Sequence, residues 1–472
     1  MKKTRPNPRA NKNILWFAYG VVGVFAAMGL YMGVFLQFQS EDVINNPYNA
    51  RIAGMADRVV RGKLLADDGT VIAETVVGED GKEARSYPYG ELFAHVAGYS
   101  TMGKTGLESL VNFHLLSSHV NLMEKIIDEL SGEKSTGDNV ATTLNLRLQQ
   151  TAWDALGDRR GAVIAMEPDT GKVLAMVSKP AFDPNTVEAE WDSLVNGEAR
   201  LLNRATQGLY PPGSTFKVIT ALEYMREHPG AYDGFHFSCD GIYEYENIRI
   251  QCYHKTAHGE EDFAASFANS CNGAFASLGL ELDLDGLKGL SEQLLFNRDQ
   301  PLSIPYKQSV YQMEADAEDW EIMQTAMGQG STLMTPMHNL MVMAAIAHDG
   351  ILMKPYFVDH VENPGGQTVK KFKPEAYGEL MVANEAAALK ELLVRVVNEG
   401  TGSSLRTDAY QAAGKTGSAE FETGKETHAW FVGYAPAEDP RLAVCVIVEE
   451  GGSGGRTAGP IAKKLFDAYL IP

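Results

Sequence analysis

In Tyr210-Pro211-Pro212-Gly213-Ser214-Thr215-Phe216-Lys217, a hydroxyl and an amine stand three residues apart, directly before the apolar run Val218-Ile219-Thr220-Ala221-Leu222. Pro and Gly halt the preceding chain, and the apolar run starts a helix. Ser214 therefore falls in the first helical turn, where free backbone N–H groups and the positive dipole end favour developing negative charge. Lys217 follows one turn on, on the same face. A serine hydroxyl is a weak nucleophile until an adjacent base takes its proton. A lysine desolvated by apolar neighbours has the lowered pKa that such a base needs. The spacing alone is cheap: Ser131-Gly132-Glu133-Lys134 repeats it in a polar stretch with no apolar helix behind it. Taken by itself, Ser214 reads equally as a helix N-cap.

Two further elements turn Ser214 into a candidate nucleophile. Ser270-Cys271-Asn272 follows the helix-like Asp262-Phe263-Ala264-Ala265-Ser266-Phe267-Ala268. It offers a hydroxyl to relay a proton and an amide to hold a substrate carbonyl. Lys415-Thr416-Gly417-Ser418 precedes a hairpin-like stretch and the strand Ala429-Trp430-Phe431-Val432-Gly433-Tyr434. A cation and hydroxyls on a strand edge suit a substrate carboxylate, and Gly417 lets backbone approach closely. Each triplet is common alone. Their order along the chain is the informative part.

The elements that must position these residues fit a chain of 472 residues, long enough for two or three domains. Its 44% apolar and 22% charged residues are those of a globular protein. The net charge of −20 argues against a nucleic-acid surface. The four cysteines contain no Cys-x-x-Cys pair and the histidines no His-Glu-x-x-His, so neither a metal site nor a structural zinc is expected.

Residues 1–12 carry Lys2, Lys3, Arg5, Arg9 and Lys12 with no acid, and an uncharged stretch from Asn13 to Phe38 follows. That stretch is long enough to cross a bilayer as a helix. With the positive charge on its N-terminal side, the N-terminus stays in the cytoplasm and the rest lies outside. The competing reading is a cleaved signal peptide, but the stretch is long for one and Leu36-Gln37-Phe38-Gln39-Ser40 offers no small-x-small cleavage site. Gly29 and Gly33 have the spacing of a close-packing helix face.

From about Asn45 to Asn145 the chain is polar and glycine-punctuated, with short alternating runs such as Gly69-Thr70-Val71-Ile72-Ala73. Gly98-Tyr99-Ser100-Thr101-Met102-Gly103-Lys104-Thr105 matches a phosphate-binding loop pattern. Leu92–Ala97 ahead of it makes a poor buried strand, and the segment lies outside the membrane, where ATP is scarce. Beyond residue 145 the texture changes. Leu146–Trp153 reads as an amphipathic helix; Gly161–Met166 and Val173–Val177 read as strands flanking the Pro168-Asp169-Thr170-Gly171 turn. Residues 385–398 read as a helix, and Leu442–Val448 as a strand. The mixture indicates an α+β architecture. Cys239 and Cys252 flank Gly241–Tyr245, either as a disulfide across a hairpin or as two buried thiols.

The order Ser-x-x-Lys, Ser-x-Asn, Lys-Thr-Gly is that of penicillin-binding proteins and serine β-lactamases. The chain resembles the class B penicillin-binding proteins, the membrane-anchored peptidoglycan transpeptidases. The likeness covers nearly everything after the N-terminal tail. It includes Asn46-Pro47-x-Asn49-x-Arg51, Arg61-Gly62, Asp67-Asp68-Gly69, Gly106-Leu107-Glu108 and Asn203-Arg204-Ala205. It continues through Gly328-Gln329-Gly330, Thr335-Pro336, Gly400-Thr401-Gly402, Gly414–Glu420 and His428-Ala429-Trp430-Phe431. Length and the Asn-Pro opening are most similar to the short PbpA-type members. Matching Gly106-Leu107-Glu108 to the family's pedestal signature disposes of the nucleotide reading.

The resemblance implies an antiparallel sheet with helices on both faces for residues 146–472, as in serine β-lactamases and D,D-peptidases. A β-rich pedestal at 39–145, one transmembrane helix at 13–38 and a cytoplasmic tail at 1–12 would precede it. It implies that a stem peptide ending in D-Ala-D-Ala acylates Ser214, with Lys217 as base, Ser270 as proton relay and Asn272 on the substrate amide. Lys415, Thr416 and Ser418 would orient the terminal carboxylate, and the N–H groups of Ser214 and Ser418 would form the oxyanion hole. An amine of a neighbouring stem peptide would then attack. The resemblance implies no cofactor, covalent inhibition by β-lactams and a membrane-embedded glycan polymerase of the SEDS family as partner, with Gly29 and Gly33 lining that contact. Ser418 stands where many members have Thr, which keeps the hydroxyl. A β-lactamase would have no use for anchor or pedestal. A D,D-carboxypeptidase and a non-catalytic scaffold of the wall-synthesis complex remain as alternatives.

Overall fold

The computed structural model describes residues 8–38, 56, 58–79, 81–422 and 424–471. The Asn46–Arg51 opening, Glu41, Asp42 and the basic residues Lys2, Lys3 and Arg5 lie outside them.

One helix, Pro8–Phe38, contains the apolar stretch. Its membrane-compatible part, Lys12–Phe35, has a mean hydropathy of 1.8, and none of that window is buried among the described residues. At ~1.5 Å per residue it is long enough for a ~30 Å hydrocarbon layer. Apolar side chains such as Trp16, Phe17 and Leu30 are exposed, as a lipid-facing helix requires.

The C-terminal half is built on a five-stranded antiparallel sheet in the order Ala413–Ala419, His428–Ala435, Leu442–Val448, Gly161–Met166, Val173–Lys179. Nearly every residue of these strands is buried, because helices cover both faces. Continuous apolar runs, not alternation, are the sequence mark of such strands. Leu146–Leu156 and Ala458–Leu470 pack on one face, where Leu148, Ala152 and Phe466 meet Val163, Phe431 and Val446. Asn145 caps the first of them, its side chain accepting from the Leu148 amide at 3.0 Å. On the other face lies Pro336–Ala347, a helix buried at every position. Thr335 caps it and Pro336 opens it, which accounts for the Thr-Pro pair.

The pedestal sheet has the order Thr368–Lys371, Val358–Glu362, Asn139–Thr142, Leu64–Leu65, Val71–Val77, Glu83–Ser86. Two of its six strands thus come from a hairpin far beyond residue 145. The two halves are contiguous in sequence but share a sheet in space. Gly106-Leu107-Glu108 opens the short helix Gly106–Leu110 and places Glu108 fully inside the pedestal. There Arg61 (Nε to Oε2, 2.7 Å) and Arg85 (Nε to Oε1, 2.7 Å) grip its carboxylate. Burial alone would raise the Glu108 pKa; Arg85 and Arg61 outweigh it and hold the carboxyl below its usual range. The Gly98–Thr105 loop follows a 3₁₀ turn and the short helix Ala94–Ala97, so no strand leads into it. Ser131 closes a helix, Leu122–Ser131, instead of opening one.

Candidate active site

Tyr210 to Lys217 is fixed from several sides before the helix begins. Glu449, just beyond the central strand, accepts from Tyr210 Oη (2.8 Å) and from buried Arg204 Nε (2.7 Å). Trp430 Nε1 donates to Pro211 O at 3.1 Å. These contacts give physical roles to Asn203-Arg204-Ala205 and His428-Ala429-Trp430-Phe431. Gly213–Thr215 forms a 3₁₀ turn and Lys217–Glu227 the α-helix, so Ser214 lies in a tight turn just ahead of the helix proper. Gly328 accepts the Gly213 amide at 2.8 Å. Its φ is +82°, and a Cβ there would lie 1.9 Å from Gly213 O, so only glycine fits.

Ser270-Cys271-Asn272 is the junction of two helices, Phe263–Ala268 and Asn272–Glu281. Ser270 has φ +59°. Its amide bonds Phe267 O (3.2 Å) and the Cys271 amide bonds Ser266 O (2.9 Å), the pairing that ends a helix at a left-handed residue. Cys271 then caps the next helix, with Sγ accepting from the Ala274 amide at 3.5 Å.

The Lys415 strand is the edge strand of the main sheet, and its Gly417 passes the Ser214 turn. A Cβ on Gly417 would sit 3.2 Å from both Pro212 O and Thr215 Cγ2. Between these elements two buried amines converge. Lys217 Nζ donates to Asn272 Oδ1 (2.8 Å), Ser270 O (2.7 Å) and Ser270 Oγ (3.3 Å). Lys415 Nζ donates to the same Ser270 Oγ at 2.8 Å. Ser270 Oγ therefore joins the first motif to the third. Burial pushes the Lys217 pKa down to about 8. Burial first, and the nearby Lys217 charge second, push Lys415 well below its ordinary value. Ser214, Ser270, Asn272 and Ser418 are each half-buried, while Lys217, Lys415 and Thr416 are buried.

Two neighbours carry roles that sequence reading did not assign. Thr401 shares a 2.6 Å hydroxyl contact with Thr416, which explains Gly400-Thr401-Gly402. The Gly454 amide donates to Ser418 Oγ at 3.2 Å; nothing in its local Gly-Ser-Gly-Gly composition marks it. Cys239 and Cys252 are free thiols with sulfurs 3.7 Å apart, and Cys271 lies 3.7 Å from Cys252.

Residues 161–467 match the penicillin binding protein transpeptidase domain, and residues 61–140 the penicillin binding protein A dimerisation domain. The chain belongs to the penicillin-binding protein transpeptidase family. It is 33% identical over 468 residues to the peptidoglycan D,D-transpeptidase PbpA of Mycolicibacterium smegmatis, covering 92% of this chain and 94% of the relative. It is 31% identical to PbpA of Mycobacterium tuberculosis, over the same shares of both chains. The crystal structure of the D,D-transpeptidase domain of an Eggerthella lenta peptidoglycan glycosyltransferase superposes with a TM-score of 0.78 at 33% identity, covering 88% of this chain and 98% of that one. The M. tuberculosis penicillin-binding protein A acylated by penicillin G does so with a TM-score of 0.77 at 31% identity, covering 87% and 99%.

Proposed function

We propose that this membrane-anchored cell-wall enzyme, a serine peptidoglycan D,D-transpeptidase, carries its acyl group on Ser214. The observation that carries the residue assignment is the convergence of Lys217 Nζ and Lys415 Nζ on Ser270 Oγ. A neutral Lys217 takes the Ser214 proton as Oγ attacks the carbonyl between the two terminal D-Ala residues. The N–H groups of Ser214 and Ser418 hold the oxyanion. Through Ser270 the proton reaches the leaving D-Ala amine, and Asn272 holds the substrate amide. Charged Lys415, with Thr416 and Ser418, pairs the terminal carboxylate, which keeps the charge on Lys415 and leaves Lys217 neutral. A neighbouring stem-peptide amine then attacks the ester, Ser214 regains its proton, and the cross-link forms. A β-lactam enters the same way and stays bound, as the acylated M. tuberculosis relative supports.

The chain divides on this reading into tail (1–12), anchor (13–38), pedestal (39–145) and transpeptidase (146–472). The N-terminal positive charge puts the tail in the cytoplasm and the catalytic half outside. The partner in the membrane is a SEDS-family glycan polymerase packed on the Gly29–Gly33 face, where added Cβ atoms would meet nothing among the described residues. Replacing both glycines by leucine should reduce co-purification of that polymerase; undiminished recovery would refute the contact.

The direct test is turnover of a D-Ala-D-Ala peptide with and without an acceptor amine, read by product mass. Transfer to the amine in preference to water is expected; hydrolysis alone would establish a carboxypeptidase. The acylation step should rise about tenfold per pH unit below pH 8 and level off above it, as Lys217 loses its proton. A flat profile from pH 6 to 9 would remove Lys217 as the base.

A further inference from the structure

We propose that Cys239, Cys252, His258 and Cys271 bind one zinc ion, which clamps the two small two-stranded sheets beside the active site to the Ser270–Asn272 turn. Spacing along the chain argued against a structural zinc, since none of the four residues forms a familiar short motif. The fold nevertheless brings one ligand atom from each to within 4.8 Å of all the others.

The distances have the form of a coordination tetrahedron. Cys252 Sγ lies 3.7 Å from Cys239 Sγ and 3.7 Å from Cys271 Sγ, and Cys239 Sγ lies 3.4 Å from His258 Nδ1. Zinc bonds of about 2.3 Å to sulfur and about 2.0 Å to nitrogen give edges of roughly 3.8 and 3.5 Å around one centre. A disulfide needs sulfurs about 2.05 Å apart and uses two of them. Here the middle cysteine is equidistant from two others, and an imidazole completes the set. All three cysteines are buried and His258 is half-buried. Glu261, 3% exposed, lies beside the set with its Oε2 4.0 Å from His258 Nδ1. On binding, the three thiols release their protons to solvent and the imidazole binds as the neutral base.

The ligands come from four places. Cys239 ends the strand His236–Cys239, and Cys252 follows Ile248–Gln251. His258 precedes the strand Gly259–Asp262, and Cys271 caps the Asn272 helix. Cys271 sits between Ser270 and Asn272, and Asn272 Nδ2 already donates to Gln251 O at 2.9 Å. A metal there fixes the residues that hold Lys217. The four ligands are positioning residues on this view, whose mechanistic half rests on the transpeptidase reading while the metal content does not.

The test is metal analysis of the full-length chain purified in detergent under mild reductant, with zinc as the probe. About one zinc per chain is expected, and Cys252→Ala and His258→Ala, made separately, should each weaken retention by about 10- to 100-fold. Chelated protein should form the penicillin adduct roughly tenfold more slowly, with one equivalent of zinc restoring the rate and magnesium failing to do so. Folded wild-type protein that neither holds zinc nor takes it up would overturn the proposal. So would a disulfide among these cysteines in protein purified without reductant, seen as loss of two hydrogens by mass. Stoichiometric zinc that leaves the adduct rate unchanged when removed would overturn the clamp.

Discussion

Ser214→Ala and Lys217→Met should each cut the rate of acylation by penicillin by at least ~10³-fold, and the double variant should be no slower than the worse of the two. Ser214 supplies the bond-forming oxygen and Lys217 makes it nucleophilic, so removing either empties the same step. Methionine keeps the bulk that Lys217 places against Phe275, whose ring centre lies 5.3 Å from Nζ. It removes the donor to Asn272 and Ser270, which leaves Asn272 Oδ1 to find a new partner. Melting temperatures near wild type would show that the fold survived. The check is adduct formation over time for the three variants. Multiplicative losses would mean that the two residues act independently, and a Lys217→Met rate within tenfold of wild type would mean another base.

Glu108→Gln should destabilise the pedestal by about 3–5 kcal/mol, because it leaves two buried guanidiniums facing a neutral amide. Arg61 also donates to Glu108 O (2.7 Å) and to Asn112 Oδ1 (2.5 Å), and Arg85 to Gly62 O (2.6 Å). The backbone partners persist in the variant, but the compensating charge does not. The side chains are 0%, 10% and 6% exposed for Glu108, Arg61 and Arg85, so water replaces little of what is lost. A drop on the order of 10 °C in the pedestal transition is expected in thermal unfolding, with the per-molecule acylation rate of the folded protein unchanged. An unaltered transition would mean that the triad contributes little.

The candidate site was legible because its motifs are local. Ser214 and Lys217, Ser270 and Asn272, and Lys415 to Ser418 each sit within a few residues, and glycine and proline mark their turns. Four of the five main-sheet strands were legible as largely apolar runs, since both faces are covered; the edge strand Ala413–Ala419 was legible through the Lys415 motif it carries. The pedestal sheet was not, because Val358–Glu362 and Thr368–Lys371 lie far along the chain and nothing local sets them beside Asn139–Thr142. Leu92–Ala97 read as a weak strand and is a 3₁₀ turn and helix, where tertiary packing of Phe93 and Val96 overrides β propensity. The Ser270 turn was legible as chemistry but not as geometry, for a left-handed serine carries no composition signal. Cys271 likewise carries no local signal; only the fold sets it beside Cys252.

That Ser214 carries the acyl group is tested most directly by incubating the protein with penicillin, measuring intact mass, and sequencing the modified peptide by fragmentation. One drug mass per chain, mapped to Ser214 and absent from Ser214→Ala, is the expected result. An adduct on another residue, or one that persists in folded Ser214→Ala protein, would contradict it.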